Sequence, residues 1–495
     1  GSLDVTGTGT QLNAGAGGLY VNADGSGTVS VENGGVISSA GPVSFGDGST
    51  VASGSTGTLT VGQGGTLAVG GTNGIVADEG SNGGSYQFNL AGGTLKDTGS
   101  DLTSSVNATL VSGTDSTVDT NGLNTTLSGV LSGSGSLTKS DTGTLVLTGA
   151  DTYTGGTTIG GGTLQLGNGG TAGNIATTTA IHDDGTLAVD RSDAITVGQV
   201  IDGTGNLTQI GTGTTTLTGT DTYTGATTID NGTLALSGTG SIAQSTGVQD
   251  NAAFDISGVT TGSSSIQSLN GAGTVALGGN TLDITNGNAT FGNTFSGVAS
   301  GSGGLTVSGG TETLSGANTY TGVTTVASGA GLSLPGSVAG ALTTAGTTDV
   351  NGGTVAGTTT NTGTFTAEDG TLAAVANNGG TATLSDTTAG VVTNASGATF
   401  SATGGTLASA ANSGTMTLGA GNTVSGDVTQ TAGSLTLDGN TVDGTVAANG
   451  GTFDVASAGS TAGSLSGTAS GTLDGTLDLT KASSTYSGGM SGSGG

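Results

Sequence analysis

The chain has 495 residues, of which 106 are Gly and only 32% are apolar, and its formal net charge is −29. With 8 Phe, 6 Tyr and no Trp it lacks the bulky apolar material of a helical bundle or a compact α/β enzyme. Four cationic side chains, Lys96, Lys139, Arg191 and Lys481, cannot neutralise a phosphate backbone or an anionic membrane surface, so nucleic acid is excluded as a partner.

The absence of Cys removes disulfides, thiolate metal sites and a cysteine nucleophile, and it suits export through an oxidising compartment. No run of 18 apolar residues is present to span a membrane as a helix. The sequence opens at Gly1 with no charged and apolar leader, so any signal peptide is expected either to have been removed or to lie outside this sequence. Gly-rich polar chains are often disordered, but only 7% of these residues are charged, too few for the self-repulsion that keeps such a chain expanded.

In chain order, four regions are predicted. Residues 1–126 form β-solenoid turns with a 30-residue step, since TVSVENGG from Thr28 recurs as TLTVGQGG from Thr58. Residues 127–340 carry a longer repeat. One copy runs from Leu131 to Gly167, a second from Ile201 to Ser237 and a third from Ala299 to Leu334, each holding a Thr-Tyr-Thr-Gly tetrapeptide at Tyr153, Tyr223 or Tyr320.

Residues 341–480 read as narrow turns of about 17–19 residues, because Gly346, Gly363, Gly380, Gly397 and Gly414 follow one another at intervals of 17. Each opens a short alternating run, as in GTFTA, where Phe365 lies between Thr364 and Thr366 and so faces the opposite side. After Gly397 the apolar Phe400 comes one residue late. A slip within the strand would expose it, so the extra residue is predicted at the corner. Residues 481–495 open a further repeat, TYSGGMSGSGG from Thr485 resembling TFSGVASGSGG from Thr294.

The segments GSGSLTK, GTLVLTGADTYTGGTTI and GTLQLG, with the lead-in LAVDRSDAITVGQVIDGTGNL from Leu187, resemble the autotransporter-associated β-strand repeat of type V secreted passengers. That resemblance implies an all-β fold, a right-handed parallel β-helix (β-solenoid) forming an elongated rod. It also implies display at the bacterial cell surface or release outside it, and an outer-membrane β-barrel translocator lying outside this sequence. Its typical roles are adhesion, autoaggregation and biofilm formation.

Solenoid geometry sharpens the expectation. Parallel turns stack about 4.8 Å apart, so 18 to 20 residues per turn would give about 25 turns and a rod of roughly 120 Å. Val, Leu and Ile should point inward, with Thr and Asn outside. Pro42 and Pro335 should sit at corners, because proline cannot donate to a ladder.

Little catalytic material is present. The sole histidine, His182, precedes Asp183 and Asp184. A general base or metal cluster there is weighed against a polar corner, and the corner is preferred. Asp190, Arg191 and Asp193 are read as a solvated, salt-bridged face. GDGST at Gly46 superficially resembles a protease serine motif, without a histidine nearby. Polysaccharide cleavage would need clustered carboxylates, or a basic residue with calcium-binding acids, on one face. Asp47, Asp97, Asp369 and Asp443 are read as turn formers, with weak calcium binding left open. No catalytic, cofactor or metal residue is assigned, no cofactor is expected, and the binding residues stay unknown.

The expected function is that of a surface adhesin segment acting through many shallow contacts along Thr, Asn and Asp ladders. Its partners would be host or bacterial cell surfaces, glycans or a second copy of itself, with no small-molecule substrate. An inert stalk or matrix filament is the alternative. Ice binding by Thr-x-Thr ladders is a minor one, weakened by interruptions at Ala398 and Asp454.

Overall fold

A computed structural model describes the whole chain except residues 24, 48–53, 71–73, 79–83, 176–177, 288–291 and 482–483. Two compact units, Gly1–Thr260 and Thr261–Gly495, are each built as a parallel β-solenoid. Short strands joined by turns pair in register with strands one turn later in sequence, so each turn is held by backbone hydrogen bonds to its neighbours. The described residues contain one 3-10 turn, Gly15–Gly17, no α-helix, and no helix long and apolar enough to cross a membrane.

In the first unit the 30-residue step is a structural turn, with Thr28 pairing Thr58 and Val29 pairing Leu59. Later turns shorten: Leu137 pairs Thr157, and Leu207 pairs Thr227. Inward positions alternate with outward ones. Leu145, Leu164, Leu187 and Leu207 form one buried column, paired in succession. The described residues make about 22 turns rather than 25, because the opening turns consume more residues, Ser2 pairing Thr28 and Gly27 pairing Gly57.

The second unit contains the regular 17-residue region. Thr364 pairs Thr381, Thr381 pairs Thr399, and Thr399 pairs Thr415. Phe365, Ala382, Phe400 and Met416 stack inward and are fully buried. The extra residue before Phe400 therefore lies in the corner, where Ala398 donates its N–H to the Ala395 carbonyl and Gly397 adopts φ +83°. Putting it there keeps the strand in register and Phe400 in the core. Pro42 and Pro335 both lie outside strands, Pro42 immediately before Val43–Phe45 and Pro335 just after Gly331–Ser333.

The chain also answers a demand for left-handed backbone. Gly133, Gly203 and Gly301 occupy the same place in the three long repeats, with φ of +100°, +104° and +119°. A Cβ at Gly203 would stand 2.2 Å from the Asp183 carbonyl oxygen of the preceding turn. Only glycine suits that combination of φ and close approach.

Candidate functional site

The most regular exposed surface belongs to the second unit. Two hydroxyl-rich columns run up one sheet. The first is Thr347, Thr364, Thr381, Thr399, Thr415, Ser434 and Thr452, each paired with the next. The second, two residues along each strand, is Asp349, Thr366, Thr383, Ser401, Thr417, Thr436 and Asp454. All these residues are exposed or half-exposed, while the residues between the columns, Thr348 to Phe453, are buried. Strand alternation is the cause: the apolar row takes the core and leaves hydroxyls on both sides of it facing out.

Ala398 does not interrupt this face. It lies buried in the corner, and Thr399 takes the column position. Asp454 closes the second column, its carboxylate accepting from the N–H and hydroxyl of Thr472. On a neighbouring sheet Thr354, Thr371, Thr388, Thr406, Thr423, Thr441 and Thr461 make a third column, again over buried apolar partners such as Leu372 and Leu407.

Asparagine departs from the expected pattern. Asn361, Asn377, Asn394 and Asn412 are buried and pair in succession. Each side-chain amide donates to the next Oδ1, at 2.9, 2.9 and 2.8 Å. The same amides also donate to the carbonyls of Thr381, Thr399, Thr415 and Ser434, tying the hydroxyl sheet to its neighbour. An amide ladder inside the core satisfies donors and acceptors that would otherwise be stranded at the corner. These asparagines are therefore unavailable as an outer contact surface. Their sequence signal was an Asn two or three residues before each of Gly363, Gly380, Gly397 and Gly414.

The charged residues divide in an unexpected way. Arg191 is only 7% exposed and is a structural clamp, not part of a solvated face. Its guanidinium donates to the Gly173 and Thr171 carbonyls, both at 2.6 Å, and grips both oxygens of Asp193. Lys139 is buried as well, with Nζ donating to the carbonyls of Ser140, Asp141 and Gly161. Burial lowers its pKa to about 8. Gln209 does the same work in the next repeat, donating to Gly211 and Gly213.

His182 stands exposed on the strand Ile181–Asp183, not at a corner, with Nδ1 against Asp202 and Nε2 against Asp184. The hydrogen bond to Asp202 raises its pKa, and hydrogen bonds from Thr204 lower that of Asp184. Asp183 points the other way, buried, and desolvation pushes it up to about 6. The described residues contain no group of three or more His, Asp or Glu able to hold a metal ion. Of the GDGST motif, Gly48, Ser49 and Thr50 lie outside the described residues. Asp369 is a turn former at φ +53°. Asp97 is instead buried, accepting from the Leu102 N–H and the Thr125 hydroxyl, and Asp443 lies within the strand Thr441–Ala448.

The long repeats share a core lock that residue patterning did not assign. Tyr153, Tyr223 and Tyr320 are almost completely buried, and their hydroxyls bond Thr157, Thr227 and Thr324, each at 2.6 Å. Two residues earlier, Asp151, Asp221 and Asn318 each accept a backbone N–H from the preceding turn, from Leu131, Ile201 and Ala299.

These locks fall inside three segments, 137–166, 207–236 and 309–334, that match the passenger-associated-transport-repeat family. The class defined is thus a parallel β-solenoid bearing autotransporter passenger repeats. Such repeats place the protein outside the cell or at its surface, in a fold whose work is typically structural or adhesive. No curated protein and no solved structure matches the chain.

Proposed function

We propose that this chain is a segment of a bacterial surface adhesin, without catalytic activity, that mediates adhesion, autoaggregation or biofilm formation through many weak contacts. The observation that carries this reading is the set of hydroxyl columns held in register over successive turns of the second unit. A periodic polar face offers the same shallow contact repeatedly, and repeated contacts add as avidity without one deep pocket. Its partners are glycans, cell surfaces or a second copy of the chain, and its anchor is an outer-membrane β-barrel. Sedimentation velocity over a wide concentration range, together with binding of the purified chain to bacterial cells, tests this. Concentration-dependent growth or cell binding is expected. A chain that neither self-associates nor binds is an inert stalk, and the adhesin reading fails.

A second reading, ice binding, gains from one observation: the hydroxyl columns run unbroken past Ala398, with Thr399 and Ser401 in place. Two regular hydroxyl rows over a sheet present a lattice-like surface. Thermal hysteresis in the purified chain would support it, and its absence removes it.

A further inference from the structure

The three long repeats contain an internal comparison. At one equivalent position the residues are Asp151, Asp221 and Asn318, all nearly inaccessible to solvent. Each uses one side-chain oxygen to accept a backbone N–H of the preceding turn. Asn318 spends its remaining group, the amide NH2, as a donor to the Gly316 carbonyl. In the aspartate repeats the remaining group is Oδ2, which is buried with no hydrogen-bond partner. The carbonyls corresponding to Gly316 belong to Gly149 and Gly219, two residues before each aspartate. A carboxylate has no donor to offer such a carbonyl, whereas a neutral carboxyl has one O–H and reproduces the asparagine pattern.

We propose that Asp151 and Asp221 are proton-operated anchors, each fastening its turn to the preceding one as the neutral acid and loosening it as the carboxylate. The repeats of the first unit are then more firmly closed in acid than at neutral or alkaline pH.

The surroundings of the two groups agree. The described ion pairs engage Asp119, Asp184, Asp193 and Asp202, and none involves Asp151 or Asp221. The titratable neighbour of Asp151 is Tyr153, and that of Asp221 is Tyr223, a phenol that also feels Asp183 from two turns earlier. Asp183 in turn faces His182 and Asp184. Desolvation pushes both anchors up to about 7, against the single opposing hydrogen bond from Leu131 or Ile201. The sign follows. An acid whose folded pKa is raised binds more protons folded than unfolded, so stability falls as pH climbs from the unfolded value toward the folded one.

The test is urea denaturation of the full chain at pH 5 and pH 8, comparing wild type with the double variant Asp151→Asn, Asp221→Asn. Asp183 and Asp250, also buried with raised pKa values, contribute to both proteins and cancel in the comparison. Between the two pH values the unfolding constant of wild type should rise relative to the variant by roughly ten- to a hundredfold per anchor. Parallel pH profiles would overturn the proposal. Should the double variant fail to fold, Asn318→Asp provides the converse. It should match wild type at pH 5 and unfold at lower urea at pH 8, and equal midpoints at both pH values would refute the anchor. A carboxyl 13C titration assigned by the two Asp→Asn variants reads the same groups directly, and ordinary aspartate midpoints would also refute it.

Discussion

Tyr223 illustrates how a single residue in this fold is fixed by its turn. Its ring is buried and its hydroxyl bonds Thr227, which also bonds Ser245 in the following turn. Tyr223→Phe keeps the ring and removes that link, so a loss of about 1 kcal/mol is expected in chemical denaturation. Gly203→Ala should cost more, about 2 kcal/mol or above, because it combines left-handed backbone with contact against the Asp183 carbonyl. Calorimetry on both variants checks the order. The Thr-Tyr-Thr-Gly signature was visible in the sequence, but its role was not. Nothing in the motif says that the phenol points inward, because the partner Thr lies four residues on and the burial comes from stacking. Arg191 was misread for a similar reason. Next to Asp190 and Asp193 it looks solvated, and only the turn at 171–173 supplies the carbonyls that make its burial tolerable.

At the scale of a strand and its corner, length tolerance is divided unequally. Between the buried Asn and the outward Thr of the same turn stand two residues at 361–364, three at 377–381, four at 394–399 and two at 412–415. Both the Asn and Thr ladders stay in register throughout. Deleting Ser396 from the longest corner should therefore change stability by less than about 1 kcal/mol. Deleting Ser401 from the strand Thr399–Thr403 shifts the alternation and should cost at least about 3 kcal/mol through mispacking around Phe400. Thermal melts of the two deletions decide the matter. Asn394→Ala should cost about 1–3 kcal/mol, because it takes one hydrogen-bond partner each from the Asn377 amide and the Asn412 oxygen and breaks the buried ladder between them. The Gly spacing and the alternating Thr made the strands and the corner insertion legible. The Asn ladder was not, because asparagine is ordinarily an outward turn residue and only stacking turns it into an internal donor–acceptor chain.

For the whole molecule, stability is distributed. Each turn touches mainly its neighbours in sequence, so local damage should weaken adjoining turns more than distant ones. Solubility rests on hydroxyls, amides and a net charge of −29, which repels other acidic surfaces at low ionic strength. Contacts between copies should accordingly strengthen as salt is added, a trend that sedimentation velocity can follow. The solenoid class was readable from composition and repeats. The proposed contact face was not, since a ladder of identical threonines marks no residue out from its neighbours, and only the register shows which columns run unbroken.

The most direct measurement is binding of the full chain to bacterial cells, comparing wild type with Thr364→Glu, Thr381→Glu, Thr399→Glu and Thr415→Glu introduced one after another. These side chains are exposed, and the core beneath them is untouched. A multivalent face predicts a graded fall in binding as charges accumulate, with the far-UV circular dichroism spectrum unchanged. Full binding by the fourfold variant, still folded, would contradict it.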